Sequence, residues 1–89
     1  MVRYEASVRK AIEKRAIPRE VMRTIHNALE ALDATRDYRL FDIKELAGEY
    51  NHVYYRLRKG KYRAIFYVES GDLYVVSVAR RDEVYRLWE

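Results

Sequence analysis

The chain has 89 residues, a formal net charge of +4, a hydrophobic fraction of 49% and an aromatic fraction of 13%; this bounds it to one folded domain, residues 1–89, with a modest core, and excludes a disordered chain. It has no cysteine, which excludes disulfides, thiolate catalysis and cysteine-based zinc sites. The basic balance favours an acidic partner such as RNA, DNA or an acidic protein, without choosing among them.

No apolar run approaches the roughly 20 residues of a membrane span, and no signal peptide is read at the start, so the expectation is a cytoplasmic chain with no membrane partner. His26 and His52 lack the companion spacing of a metal site, and no metal or cofactor is expected.

In chain order, Val2 to Glu5 alternates apolar and charged residues and predicts a short strand. Ser7 is placed to cap a helix over Val8 to Arg15, with Val8, Ala11 and Ile12 as its apolar stripe. Pro18 suits the first position of a second helix, and Val21, Met22, Ile25, Ala28, Leu29 and Leu32 follow helical spacing to about Ala34. His26 stands beside that stripe as a boundary residue. The irregular stretch Thr35 to Asn51 is expected to hold an extended piece near Phe41 to Leu46.

Val53 to Ala79 reads as three antiparallel strands separated by turns at Lys59-Gly60 and Ser70-Gly71. A two-residue loop in the first hairpin puts Val53, Tyr55, Leu57, Tyr62, Ala64, Phe66 and Val68 on one face, and Tyr54, Arg56, Arg58, Arg63, Ile65 and Tyr67 on the other. A slip of one residue would mix arginines into the apolar row. The same arithmetic puts Leu73, Val75, Ser77 and Ala79 on the apolar face and Tyr74, Val76 and Val78 on the basic one. Arg81 to Trp88 predicts a short terminal helix. The fold class is therefore α+β: an N-terminal strand and helix hairpin packed on one face of a small antiparallel sheet, with a short C-terminal helix.

Opposed arginines weaken a sheet by up to about 1 kcal/mol per direct pair. Either an anion occupies that face, or the arginines fan into solvent and pair with nearby acids. No glycine-rich phosphate loop, Ser-His-Asp order or paired carboxylates is present. Guanidinium groups hold phosphate through two parallel hydrogen bonds and stabilise the extra charge of a pentacoordinate transition state. RNA supplies a nucleophile in its 2′-OH. Tyr85, its phenolate stabilised by nearby arginines, is the better general base, with His52 the rival.

The strings Tyr55-Arg56-Leu57-Arg58, Gly60-Lys61-Tyr62-Arg63-Ala64-Ile65-Phe66 and Ala79-Arg80-Arg81-Asp82-Glu83-Val84-Tyr85 closely resemble the RelE-type toxins of type II toxin–antitoxin systems. The order of elements is similar over most of the chain. The resemblance implies a ribosome-dependent endoribonuclease that cuts mRNA in the A site without a metal and is neutralised by a RelB-like antitoxin. It implies Arg56 and Arg58 as the phosphate-gripping pair, Arg63 as the arginine that stabilises the transition state, Arg81 as the second phosphate arginine, and Tyr85 as the tyrosine that completes the site. Arg80, Lys59 and Lys61 are the further RNA-binding residues, and Ile65, Tyr67, Tyr74, Val76 and Val78 the expected antitoxin surface. Strand parity favours Arg80 where the motif favours Arg81; Arg81 is preferred because the strand is expected to end near Ala79. The sequence departs from the family at Arg56 and Arg58, where some members carry lysines, and at Ala79 and Arg80, where Gly-His is usual. The alternatives are a ParE-type toxin that poisons gyrase and an inactive antitoxin-binding module.

Overall fold

Two helices and five strands organise the described residues, 1–47 and 51–82, of the computed structural model. Strand β1 (Val2–Tyr4) leads into helix α1 (Ala6–Glu13) and helix α2 (Arg19–Thr35). A 3₁₀ turn at Tyr38–Leu40 then precedes β2 (Ile43–Glu45), β3 (Tyr55–Lys59), β4 (Tyr62–Glu69) and β5 (Asp72–Arg80). The sheet order is β1-β5-β4-β3-β2. Its body is antiparallel, as expected, and β1 joins β5 in parallel with Val2 opposite Leu73. The α+β class and the packing of the N-terminal strand and helices on the sheet match the expectation.

The core lies between the helices and one sheet face. The stripe of α2 buries Ile25, Leu29 and Leu32 completely, and β3, β4 and β5 answer with Leu57, Phe66, Leu73 and Val75. Each such large side chain contributes on the order of 1.5–3 kcal/mol through removal from water. Among the described residues no helix is long and apolar enough to cross a membrane.

Local chemistry differs from the expectation at two helix starts. Ser7 does not cap α1: Glu5 is the N-cap and makes no side-chain cap bond. Pro18 is the N-cap of α2 rather than its first helical residue. At the far end of α2, Arg36 adopts a left-handed conformation (φ 56°) and its Nη2 donates to Asp33 Oδ1 at 2.6 Å and to the carbonyl oxygen of Gly71. The N-terminal ammonium lies 2.7 Å from Asp33 and 3.1 Å from Asp72, and Arg3 Nε 3.0 Å from Asp72. Together these contacts lash the chain start, the end of α2 and the β4–β5 turn into one corner.

The first hairpin has the register the alternation predicts. Leu57 pairs with Ala64, Arg58 with Arg63 and Lys59 with Tyr62, around a two-residue loop in which Gly60 takes the positive φ (59°) that a first loop position of this kind requires. The second hairpin starts in the expected register, through Val68–Leu73, Tyr67–Tyr74 and Phe66–Val75, with Ser70 and Gly71 both at positive φ. The register then shifts: Ile65 pairs with Ser77 and Ala64 with Val78, leaving Val76 as the extra residue of a β-bulge. From there parity inverts. Val78 enters the core at 8% exposure, while Ser77 and Ala79 share the face of Ile65 and Arg63. The expectation that Ser77 and Ala79 face the core and Val78 the arginines is corrected by that one inserted residue.

Candidate functional site

The β3–β4 hairpin brings the arginines to one end of the sheet. Arg58, Gly60, Lys61, Arg63, Arg80, Arg81 and Asp82 line a cleft of about 600 Å³. Five cations there share the cleft lining with a single acid, Asp82.

Arg63 is the anchor. It is 4% exposed, and its Nη1 donates to the carbonyl oxygens of Gly60 at 2.9 Å and of Tyr62 at 3.0 Å. Those bonds fix the guanidinium against the hairpin loop, which is the preorganisation that charge stabilisation in a transition state requires. Arg58, directly across the ladder, is exposed and reaches the same cleft.

An acid that the sequence did not single out organises the pair on β3. Asp42 immediately precedes β2; its Oδ2 lies 2.6 Å from Arg58 Nε and its Oδ1 3.4 Å from Arg56 Nη2. Its carbonyl oxygen also accepts from the Arg58 backbone N–H at 2.9 Å. One carboxylate cannot neutralise two guanidiniums, so the β3 pair keeps a net positive charge. Arg56 is more enclosed than Arg58, with its side chain 16% exposed and its Nε buried without a hydrogen-bond partner. It stands one row further from the cleft, opposite Lys44 and Ile65.

Both candidates for the last arginine border the cleft. β5 runs one residue further than expected, through Arg80. The bulge puts Arg80 opposite Tyr62, and Arg81 begins a helical turn with its N–H donated to the carbonyl oxygen of Lys61 at 3.0 Å. Lys61 lines the cleft from the loop, whereas Lys59 pairs with Tyr62 on the opposite parity and is not among the lining residues. Tyr85 and most of the predicted C-terminal helix lie outside the described residues.

His52 is at the other end of the sheet. Its ring stacks on Tyr67 at 3.9 Å and 8°, and Tyr67 is four residues along β4 from Arg63, about 13 Å away. That separation argues against His52 as the base at the arginine cleft. Of the expected antitoxin surface, Ile65 is fully buried and Val78 is buried in the core, so neither is presented by the chain as it stands; Tyr67, Tyr74 and Val76 are half-buried.

The cleft thus offers several charge-assisted donors, one of them rigidly held, around one open space. Two solved structures share this arrangement of elements. The crystal structure of the RelB–RelE antitoxin–toxin complex from Methanococcus jannaschii matches with a TM-score of 0.74 over 98% of this chain and 99% of that chain, at 23% identity. The archaeal RelE–RelB complex from Pyrococcus horikoshii OT3 matches with a TM-score of 0.70 over 90% of this chain and 92% of that chain, at 25% identity.

The chain has the RelE fold.

No family model and no curated protein matches the sequence. The RelE fold is therefore carried by the order of elements and by the register of the sheet. Within it, the strand pair β3–β4 and the two residues that follow β5 converge on the cleft, which explains how residues from Arg58 to Asp82 come to share one space.

Proposed function

We propose that this chain is the toxin of a type II toxin–antitoxin system, an endoribonuclease that cuts mRNA in the ribosomal A site and is restrained by a RelB-like antitoxin. The observation that carries the reading is the gathering of Arg58, Lys61, Arg63, Arg80 and Arg81 around one cleft, together with the likeness to RelE in its complexes with RelB.

In the proposed reaction the 2′-OH of the substrate attacks the adjacent phosphorus and the bond to the 5′-oxygen breaks, leaving a 2′,3′-cyclic phosphate and a free 5′-hydroxyl. The nucleophile belongs to the substrate, so the protein's task is to hold the phosphate, stabilise charge and move two protons. Arg63 holds the non-bridging oxygens from its fixed position, with Arg81 of the same cleft. Arg58 and Arg56 grip the backbone after leaving Asp42. Tyr85 takes the 2′ proton, its phenolate favoured by the surrounding guanidiniums, and the departing 5′-oxygen takes a proton from water to become the free hydroxyl. Alignment of the 2′-OH by the ribosome supplies the geometry that a site without a strong base needs.

Pulsed expression in bacteria followed by mapping of mRNA 5′-ends tests the reading. The wild-type chain should stop growth and leave new 5′-hydroxyl ends inside translated frames. The exposed Arg58→Ala variant, checked for folding by circular dichroism, should cut on the order of 100-fold more slowly or less. Growth arrest with intact mRNA and trapped gyrase would establish the ParE-type mechanism instead.

A further inference from the structure

A second chemical feature occupies the arginine-bearing face at its far end. Tyr67 and Tyr74 pair directly across the β4–β5 ladder and their rings stack at 5.0 Å and 10°. His52 stacks on the other side of Tyr67 at 3.9 Å and 8°. Tyr54 meets both His52 and Tyr67 edge-on, at 86° in each case. The result is a column of three parallel rings standing on the sheet, half-buried and outside the helix-covered core. The faces of Tyr67 are taken by its two neighbours, so a further ring would extend the column from the outer face of His52 or of Tyr74.

The charge around it is divided. Glu5 and Glu69 lie close enough to Tyr67 to act on its phenol electrostatically, and Asp72 takes up Arg3 beside Tyr74. The charge at that end is therefore mixed and paired, without the cation cluster of the cleft. The cations are at the cleft, about 13 Å along β4, near enough for one strand of nucleic acid to engage both. Stacking on aromatic rings is the sequence-tolerant way to hold an unpaired base.

We infer that the His52–Tyr67–Tyr74 column is a base-stacking platform for single-stranded RNA whose backbone is held at the arginine cleft. The inference rests on the ribonuclease reading and adds a subsite to it. Bases of the strand leading away from the scissile phosphate extend the stack, so the two ends of the face divide the work: phosphate charge at Arg58 and Arg63, unpaired bases at the rings.

Binding of the full-length chain to a short 2′-O-methyl oligoribonucleotide, which has no 2′-OH to attack, separates the possibilities when compared with an abasic strand of equal length. Tyr74→Leu and His52→Leu should each weaken binding of the base-bearing strand by roughly tenfold, the effect of losing one stacked base. They should leave the abasic strand and the salt slope unchanged. Arg58→Ala should weaken both strands and reduce the slope by about 0.7. If the ring variants bind both strands like wild type while Arg58→Ala does not, the platform is overturned and the phosphate site stands. If the wild-type chain binds neither strand, the RNA reading itself fails and takes the platform with it. Loss of binding to a purified antitoxin, with RNA binding untouched in the ring variants, would also overturn the platform, assigning the column to protein recognition.

Discussion

Arg58 stands directly across the β3–β4 ladder from Arg63, yet one guanidinium is exposed and held by Asp42 while the other is buried against the hairpin loop. A like-charged cross-strand pair is unfavourable by itself. Here the two charges are drawn apart, Arg58 toward β2 and Arg63 toward Gly60. The separation leaves between them the opening that the cleft occupies.

Asp42 competes with any anion for Arg56 and Arg58. Asp42→Asn should therefore tighten binding of single-stranded RNA and steepen its dependence on salt, with a slope larger by about 0.7 for each arginine newly available to phosphate. The pair with Arg58 is largely exposed, so stability should move by less than about 1 kcal/mol. Titrations over a range of salt concentrations, alongside urea melts, check both parts.

The bulge at Val76 makes neighbouring valines unequal. Val78, at 8% exposure in the core, should cost roughly 2 kcal/mol when changed to Ala, whereas Val76→Ala should cost about 0.5 kcal/mol. Chemical denaturation of the two variants reads the difference directly. Equal losses would place the extra residue elsewhere in β5.

Tyr4 joins β1 to α2 through its hydroxyl, 2.7 Å from His26 Nδ1. Glu30 lies 3.4 Å from Nε2, on the other side of the ring. Burial first, and the Glu30 carboxylate second, push the phenol up to about 12. Because the folded value exceeds the ordinary value near 10, the contribution of Tyr4 is complete below about pH 10 and disappears as pH rises toward 12. Tyr4→Phe should cost about 1 kcal/mol at neutral pH, and its stability should fall less than that of wild type between those limits. Thermal melts across alkaline pH test the sign.

Asp72 is held below the usual carboxylate range, chiefly by the Arg3 side chain and then by the N-terminal ammonium. Its contribution is present above the ordinary carboxylate value of about 3.9 and is lost as pH falls through the lower folded value. Asp72→Asn should flatten the acid limb of the stability profile and speed amide hydrogen exchange in β1. Unchanged exchange in β1 would show that the corner is held by Asp33 and Arg36 alone.

How much of this was readable beforehand depends on which residues resolve an ambiguity. The register of β3 and β4 was legible because Arg56, Arg58 and Arg63 would enter the core under any one-residue slip. The change of parity in β5 was not, since Val75, Val76 and Val78 are apolar on both alternations and either phase looks satisfactory. Asp42 was missed because its partners are 14 and 16 positions away, joined only by the pairing of β2 with β3. The tyrosines of the stack fell on the correct face, but His52 arrives from a loop whose path periodicity does not describe. Ser7 failed as a cap because the helix begins at Ala6, which puts Ser7 inside the first turn.

The inserted residue in β5 also gives that strand one unit of slack. Deleting Val76 would join Val75 to Ser77 and leave every later rung as it stands, Ser77 against Ile65 and Val78 against Ala64, so the ladder would become regular and lose only its local bend. A lineage of such proteins could shed one peptide unit there with the downstream pairing intact, a tolerance that a strand without the insertion lacks.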